Sequence, residues 1–215
     1  MKDVCLISGL GADERLFQFL RLEGMKIHYI RWIPPFRDES WSSYANRLLP
    51  QIPSGNPVLV GISMGGMMSI ELSRLVPVEK VILISSAKGF IRTPAYFKLL
   101  SWTRLHRWLP FSLWILIGRL IGPWLFGAEN QEEKRLLRRM IRDIDERFFR
   151  WAWQQVITWN NHDLPTPVFQ VHGSRDRLLP LDDILPPDKV IAGASHFMVV
   201  HEAGQISRIL REVIG

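Results

Sequence analysis

Six short apolar runs, rich in Val and Ile, recur along the chain. Most of them do not alternate between apolar and polar residues, which is typical of strands covered on both faces of a parallel sheet. The pattern therefore predicts a mostly parallel sheet of about six or seven strands. The six runs lie at residues 3–7, 26–31, 57–62, 80–85, 167–171 and 188–192.

Segments with helical spacing of apolar residues separate these runs. Ser40 and Asp13 stand where helix caps are expected, each directly before such a segment. Strands that alternate with helices indicate an α/β fold, with helices on both faces of the sheet. The predicted helical segments lie at residues 13–24, 40–52, 64–76 and 196–214.

The alternation stops between residues 88 and 164. This stretch holds seven of the nine tryptophans, and its longest helical pattern covers residues 129–159. A chain of 215 residues, 47% of them hydrophobic, has enough apolar material for one sizeable core. We therefore expect a core formed by residues 1–87 and 165–215, with a helical cap inserted at residues 88–164.

The net charge of +6 is concentrated in the expected cap. Residues 88–150 carry 13 Lys and Arg against 6 Asp and Glu, whereas the rest of the chain carries 14 against 15. Such an excess attracts anionic substrates or acidic lipid head groups, and it also occurs on ordinary solvated helices. No nucleic-acid-binding motif accompanies it, so nucleic acid is not an expected partner.

The longest apolar stretch, residues 108–128, has the length of a membrane span. Pro110, Arg119 and Pro123 interrupt it, which favours an apolar lid or a helix lying in a membrane interface. Peripheral membrane contact through this segment is an alternative that the sequence does not favour. The apolar stretch at the N-terminus is too short for a signal peptide, so we expect a cytoplasmic protein. The single cysteine, Cys5, precludes an internal disulfide, fits a reducing compartment, and is expected to be a buried apolar residue.

Residues 61–65 read GISMG, which matches the pattern G-x-S-x-G. A predicted strand precedes this segment and an amphipathic helix follows it, which is the context that a nucleophile on a strand-to-helix turn requires. The sharp turn places Ser63 in a strained backbone conformation, and its small neighbours relieve the crowding. We therefore predict that Ser63 is a nucleophile.

A nucleophilic serine needs a base, and that base needs an orienting acid. His196 follows the last predicted strand, and Asp176 follows the strand at residues 167–171 by a short loop. Both are therefore expected at the same sheet edge as Ser63, His196 as the base and Asp176 as the acid. His172 is expected to support its loop and His201 to lie in the final helix, while Asp182 and Asp183 should cap a short turn. His28, His106 and His162 show no partner pattern.

A serine nucleophile with such partners also needs a site for the negative charge that develops on the substrate oxygen. The glycines of SGLGAD, after the first strand, allow the Leu10 N–H to face the site. The Met64 N–H, directly after the nucleophile, is the second candidate donor. Asp13 in the same loop is expected to cap a helix rather than to act in catalysis.

These motifs together resemble the α/β-hydrolase-fold serine hydrolases. The resemblance covers the expected core through SGLGA, GISMGG, HGSRD and GASHF. It implies the α/β-hydrolase fold, with Ser63, Asp176 and His196 as a catalytic triad in that chain order, Leu10 and Met64 as oxyanion-hole donors, and neither cofactor nor metal. One departure is Ser8, which stands where the family often has histidine.

The resemblance implies a serine hydrolase that cleaves an ester or thioester of a small molecule. The apolar, basic cap is expected to shape the substrate pocket, and its arginines would suit an anionic group. A carbon–carbon bond hydrolase or a cofactor-free perhydrolase is the enzymatic alternative, and a binding protein that retains the fold is the non-enzymatic one. The sequence leaves the substrate and the oligomeric state open.

Overall fold

A computed structural model describes the backbone of residues 1–215 and every side chain except those of His106 and Arg107. Within this backbone, six strands form one fully parallel sheet in the order β2-β1-β3-β4-β5-β6. The predicted mostly parallel sheet is confirmed. The strands are β1 (Lys2–Ile7), β2 (Met25–Ile30), β3 (Val58–Ile62), β4 (Lys80–Ile84), β5 (Val168–Gly173) and β6 (Lys189–Ile191).

The central strands are apolar on both faces because both faces are covered. In β1, Val4 and Leu6 pack into one apolar cluster, whereas Cys5 and Ile7 pack into the other. This alternation follows the pleat, which points successive side chains to opposite faces. Cys5 is fully buried, and burial raises the pKa of its thiol to about 12. The expectation of a buried, apolar Cys5 is therefore confirmed.

Helices cover the two faces of the sheet. Ser40 caps α1 by accepting a hydrogen bond from the Ser43 N–H, and Asp13 caps the first 3-10 helix by accepting one from the Arg15 N–H. The α-helices are α1 (Trp41–Leu48), α2 (Met64–Ser73), α3 (Ala95–Thr103), α4 (Leu105–Trp108), α5 (Phe111–Phe126), α6 (Gln131–Arg142), α7 (Glu146–Thr158), α8 (Met198–His201) and α9 (Ala203–Ile214). The 3-10 helices are Glu14–Phe19, Leu49–Gln51 and Leu181–Asp183.

Helices α3 to α7 lie between β4 and β5, and we call them the insertion. Its α6 packs into the cluster on one face of the sheet, through Leu137 and Met140, and its α7 packs into the other, through Trp151. The insertion thus shares its apolar core with the sheet. The division into core and cap at residues 88 and 164 stays a prediction.

Two predicted helices are each divided in the structure. The pattern at residues 129–159 was expected to be one helix, but α6 ends at Arg142 and Asp145 caps a new helix by accepting a hydrogen bond from the Phe148 N–H. A side chain that competes for backbone N–H groups favours such a boundary over helix continuation. The final helical segment also breaks, at Glu202, where φ is −106° and ψ is 23°.

Across the described backbone, every helix falls short of the length and apolarity that a membrane span requires. The apolar stretch at residues 108–128 forms α5, a helix of 16 residues that begins directly after Pro110. The expectation that this stretch is not a membrane span agrees with the structure.

Candidate active site

Ser63 occupies a strained position between β3 and α2. Its φ of 53° and ψ of −121° lie in a region that residues with a side chain rarely adopt. The flanking glycines are required by space, because a Cβ on Gly61 would overlap the backbone of Gly65 and Gly66. A Cβ on Gly65 would overlap the carbonyl oxygen of Ile7 at the end of β1. The turn is therefore possible only with residues that lack a side chain at these positions.

Hydrogen bonds hold the strained backbone of Ser63 on both sides. Its N–H donates to the carbonyl of Ile84 at the end of β4, at 3.0 Å. Its carbonyl accepts a hydrogen bond from the Ser86 hydroxyl at 2.7 Å, and another from the Gly66 N–H at 2.9 Å. These bonds fix the turn at the carboxyl edge of the sheet, next to β1. This is the topological switch point, because β2 lies on one side of β1 and β3 on the other.

His196 and Asp176 meet at the same edge. The Nδ1 atom of His196 lies 2.7 Å from Oδ2 of Asp176, and both side chains are buried. Asp176 follows β5, and His196 follows β6 by a short turn. The structure therefore brings together the residues predicted as base and acid, which come from neighbouring strands.

Both carboxylate oxygens of Asp176 lie next to backbone or imidazole nitrogens. Its Oδ1 accepts the N–H groups of Leu178 and Leu179, at 2.9 and 2.8 Å. Its Oδ2 lies 3.1 Å from Nε2 of His172, in addition to the bond with His196. Burial alone would raise the pKa of Asp176, but the charge of His196 and the hydrogen bonds from both histidines outweigh it and hold the pKa well below its usual range.

His172 is therefore more than the loop support that its position in the sequence suggested. Its side chain is fully buried, and its Nε2 lies close both to Asp176 and to the carbonyl oxygen of Leu179, which is 2.8 Å away. The sequence carries one signal for this role, the spacing of four residues between His172 and Asp176 across a glycine turn. Only the folded turn shows that the two side chains converge.

Ser63 and His196 line the same small cavity of about 30 Å3, together with Gly9 and Leu10. Among the described residues, Nε2 of His196 has no hydrogen-bond partner, and no hydrogen bond joins it to the Ser63 hydroxyl. The nitrogen that would accept the serine proton is therefore buried and unoccupied by another donor or acceptor. Base-to-nucleophile hydrogen bonds are often long in ligand-free sites and tighten when substrate binds.

The two candidate oxyanion donors flank Ser63. Met64 is the first residue of α2, so its N–H has no acceptor within the helix. Leu10 lies in the loop after β1 and lines both cavities that contain Ser63. Within the described part of the chain, neither N–H donates to another group. A helix N-terminus with a second free N–H beside it suits a developing negative charge.

Ser8 braces the loop that carries Leu10. Its hydroxyl donates to the Ala12 carbonyl at 2.8 Å and accepts a hydrogen bond from Nε1 of Trp32 at 3.1 Å. Ser8 itself is buried, whereas Ala12 and Trp32 are half-buried. Ser8, which replaces the histidine common in the family, therefore still anchors the loop that carries Leu10. It does so through the indole of Trp32, which follows β2.

A second cavity, of about 80 Å3, extends from Ser63 into the insertion. Its walls are almost entirely apolar, and they combine residues of the sheet edge with residues of three inserted helices. Such a lining favours an aliphatic or aromatic part of a ligand. The lining residues are Leu10, Ser63, Met64, Met67, Phe97, Leu125, Phe126, Trp153, Val156, Leu178 and Leu179.

The carboxyl end of α5 closes over the histidine loop. The ring of Phe126 lies edge-on to the imidazole of His196, with 5.3 Å between the ring centroids. The Phe126 carbonyl accepts the Phe197 N–H at 2.9 Å, and the Ser195 hydroxyl donates to the Gly127 carbonyl at 3.1 Å. Residues 126 and 127 thus position the loop that presents His196.

Other residues considered as candidates serve different ends. His28 hydrogen-bonds Asp3 at 2.6 Å on neighbouring strands, and His201 ends α8. Asp183 is the last residue of a short 3-10 helix and forms an ion pair with Arg92 at 2.7 Å. The side chain of His106 lies outside the described residues. Among the side chains that are described, no group of three His, Cys, Asp or Glu is arranged to hold a metal ion.

Among the described side chains, no Lys or Arg of the insertion lines the two cavities that contain Ser63. Arg138 and Arg139 line a large cleft on the outer side of α6, whereas neither lines the two cavities that contain Ser63. The arginines of this cleft therefore do not lie beside Ser63, where they would have to lie to bind an anionic group of the substrate.

Solved structures with the same fold carry different activities. A hydrolase from Oleispira antarctica superposes with a TM-score of 0.79 at 16% identity, covering 100% of this chain and 91% of that one. An esterase from Exiguobacterium antarcticum superposes with a TM-score of 0.78 at 16% identity, covering 100% of this chain and 92% of the esterase. A bromoperoxidase from Bacillus anthracis superposes with a TM-score of 0.74 at 15% identity, covering 99% of this chain and 91% of the bromoperoxidase. At these identities the likeness establishes the fold alone.

Sequence comparison gives the family. No curated protein matches the chain at a significant level. A family model described as the alpha/beta hydrolase family matches residues 6–208, which is nearly the whole chain. Together with the fold and the carboxyl-edge serine, this match identifies the chain as a member of the alpha/beta hydrolase family.

Proposed function

We propose that this protein is a serine hydrolase that cleaves a carboxylic ester or thioester through an acyl-enzyme intermediate. The observation that carries the proposal is the cavity that Ser63 and His196 both line, with the strained serine on one element and a histidine hydrogen-bonded to Asp176 on another. Nucleophile, base and acid in this arrangement are what acyl transfer needs.

In the proposed reaction, the Ser63 hydroxyl attacks the carbonyl carbon while Nε2 of His196 takes its proton. The tetrahedral intermediate collapses, and His196 donates that proton to the departing alcohol or thiol. A water molecule then attacks the acyl-serine with His196 again as the base. As the bond from the acyl carbon to the Ser63 oxygen breaks, His196 returns the proton to that oxygen and the carboxylic acid leaves. Asp176 stays ionised throughout and stabilises the imidazolium that forms in each half-reaction.

The remaining groups stabilise charge and hold the acyl part. The N–H groups of Leu10 and Met64 are proposed to bind the oxyanion, and loss of one such donor typically costs about 100- to 1,000-fold in rate. The apolar cavity of about 80 Å3 beside Ser63 suits a short acyl chain. Its volume makes esters with small acyl groups the first substrates to examine.

A fluorophosphonate probe tests the proposal directly, because it labels only an activated serine. We expect the wild-type protein to be labelled and Ser63→Ala to remain unlabelled. Ser42→Ala, which alters an exposed serine of α1, is the matched control and should be labelled like the wild type. An unlabelled wild type would instead support a binding protein that retains the fold.

A panel of esters and thioesters with graded acyl length then defines the reaction. Rapid turnover of short-chain esters, lost in Ser63→Ala, is the expected result. A protein that is labelled by the probe but slow on every ester and thioester, and fast on a vinylogous diketone, would be a carbon–carbon bond hydrolase. Peroxide-dependent oxidation in the presence of a carboxylic acid would indicate a perhydrolase.

A further inference from the structure

Helix α5 turns a stripe of large apolar side chains toward solvent. Leu113, Leu116, Leu120 and Trp124 recur at helical spacing on its outer face, with Ile121 beside them. Leu120 is 69% exposed and Trp124 is 61% exposed, which is unusual for side chains of this size. A contiguous apolar stripe on a helix marks a surface that meets another apolar phase.

The packing of α5 fixes this orientation. Gly118 and Gly122 lie against Ile141 of α6, where an added Cβ would come within 3.2 and 3.1 Å of its side chain. Trp114 stacks on Trp153 of α7, with 6.3 Å between ring centroids. The small and aromatic residues therefore occupy the inner face, and the apolar stripe is left exposed on the outer face.

The segment that contains the stripe carries charge of one sign. Residues 89–128 contain no Asp or Glu, whereas they contain five Lys and Arg. Arg119 belongs to α5 itself and is exposed. Trp102 and Trp108, on the helices before α5, are also strongly exposed. Exposed tryptophan and leucine beside unneutralised arginine is the composition of helices that lie in the interface of a membrane.

A basic cleft adjoins the end of the stripe. Leu120 and Trp124 line a cleft of about 580 Å3 together with Lys134, Arg138, Arg175 and Arg177, and Glu129 is the acidic residue among its lining. In the described part of the chain, none of these four cations pairs with a carboxylate. Arg177 instead lies over the Trp124 ring, 4.8 Å from its centroid, and donates to the Trp124 carbonyl at 2.7 Å.

We propose that the outer face of α5 docks on an anionic lipid bilayer surface. The apolar stripe enters the boundary between head groups and acyl chains, and Arg119 with the basic cleft meets the lipid phosphates. Each Lys or Arg near such a surface contributes a modest attraction, so the several cations act together with the apolar stripe. A helix of 16 residues lies along the surface rather than across the membrane.

A second copy of the chain is the poorer occupant. Around a two-fold axis through the middle of α5, Arg119 of one chain would approach Arg119 of the other, and α5 itself carries no acid to pair with them. Lipid phosphates neutralise these cations, whereas a symmetric partner repeats them. Charge complementarity therefore selects the bilayer.

Docking through α5 would bring the proposed active site close to the lipid phase. Residue 126 at the end of α5 contacts His196, and Arg177 follows Asp176 directly in sequence. Binding itself needs no catalysis, so this inference does not depend on the proposed hydrolase activity.

Flotation with lipid vesicles tests the proposal. We expect the wild-type protein to float with vesicles of phosphatidylcholine and phosphatidylglycerol at low salt, and to bind pure phosphatidylcholine vesicles far more weakly. The double variant Leu116→Gln with Leu120→Gln should weaken binding about 100-fold, because each leucine contributes about tenfold. Arg119→Glu should weaken it at least about fivefold, with an effect that shrinks as salt rises.

Matched controls use exposed residues outside the insertion. Phe36 is 64% exposed, and the neighbouring Arg37 is almost fully exposed, so Phe36→Gln and Arg37→Glu should bind vesicles like the wild type. The proposal is overturned if the wild type fails to float with the anionic vesicles, or if the α5 and control variants lose binding equally. It is also overturned if sedimentation velocity shows a dimer that the α5 double variant abolishes while vesicle binding is absent.

Discussion

A hydrogen bond of 2.7 Å joins Nδ1 of the His196 imidazole to Oδ2 of the Asp176 carboxylate, and both side chains are buried. Because one ring nitrogen is held by the carboxylate, the other, Nε2, is left for the cavity that Ser63 lines. Its orientation depends on a carboxylate that is itself fixed by two N–H groups and by His172. A substitution of Asp176 should therefore affect both the orientation and the charge of His196.

Replacing Asp176 with Asn should lower kcat on an ester by about 1,000- to 10,000-fold. The amide keeps the size of the side chain, but it favours the wrong tautomer of His196 and cannot stabilise the imidazolium. Steady-state kinetics on a short-chain ester measures the loss. Asp182→Asn, an exposed neighbour, is the control and should retain full activity. A value for Asp176→Asn within tenfold of the wild type would contradict the proposed role.

The same carboxylate should make stability depend on pH in acid. The pKa of Asp176 is depressed in the folded protein, so its charged form stabilises the fold at pH values above its unfolded pKa of about 4. That stabilisation is lost as the pH falls through the folded pKa. Urea unfolding from about pH 5 to about pH 2 should therefore show a steeper fall in the free energy of unfolding for the wild type than for Asp176→Asn. If the free energy of unfolding fell equally steeply with pH in both proteins, Asp176 would not be the source of the pH dependence.

Gly65 should tolerate no side chain. A Cβ at this position would overlap the carbonyl oxygens of Ile7 and Ser8, which belong to the backbone and cannot rotate away. Gly65→Ala should lower the free energy of unfolding by about 3 kcal/mol or more, or prevent folding. Gly204→Ala is the matched control in α9, where an added Cβ meets nothing within 4 Å, and it should be neutral or stabilising by about 0.5–1 kcal/mol. Thermal unfolding distinguishes the two, and similar melting temperatures would argue against the close approach of β1 and α2.

Val156 should set the length of acyl chain that the site accepts. It lies on α7 and lines the apolar cavity beside Ser63. Val156→Phe should fill part of that space and reduce kcat/KM for longer acyl esters at least about tenfold more than for an acetyl ester, since a mismatch of one methylene in an apolar pocket already costs that much. The measurement is kcat/KM across an acyl series, with Val190→Phe on the exposed part of β6 as the control. An equal loss at every length would place the acyl group elsewhere.

Several features of this protein could be predicted from local sequence patterns. The apolar runs located all six strands, and the spacing of glycines around Ser63 predicted a strained turn that the backbone angles bear out. The family and the α/β-hydrolase fold are likewise confirmed. The catalytic roles of Ser63, Asp176, His196, Leu10 and Met64 remain predictions, although the structure brings these residues to one sheet edge.

Other features emerged only in the folded chain. The approach of His172 to Asp176, the edge-on contact of Phe126 with His196 and the bond from Trp32 to Ser8 each depend on where separate segments come to rest. The division of the 129–159 pattern into α6 and α7 was missed, because a polar turn inside a strongly periodic segment changes its apolar pattern very little.

The sequence by itself determined the strands, the glycine-lined turn and the chain order of the reactive residues, because backbone preference and side-chain periodicity act over a few neighbouring residues. The tertiary structure decided which side chains meet across the chain, and which face of α5 is left in solvent. Those outcomes depend on how the helices pack on the sheet and on one another. A periodic pattern shows that a helix has an apolar face without showing what that face will contact.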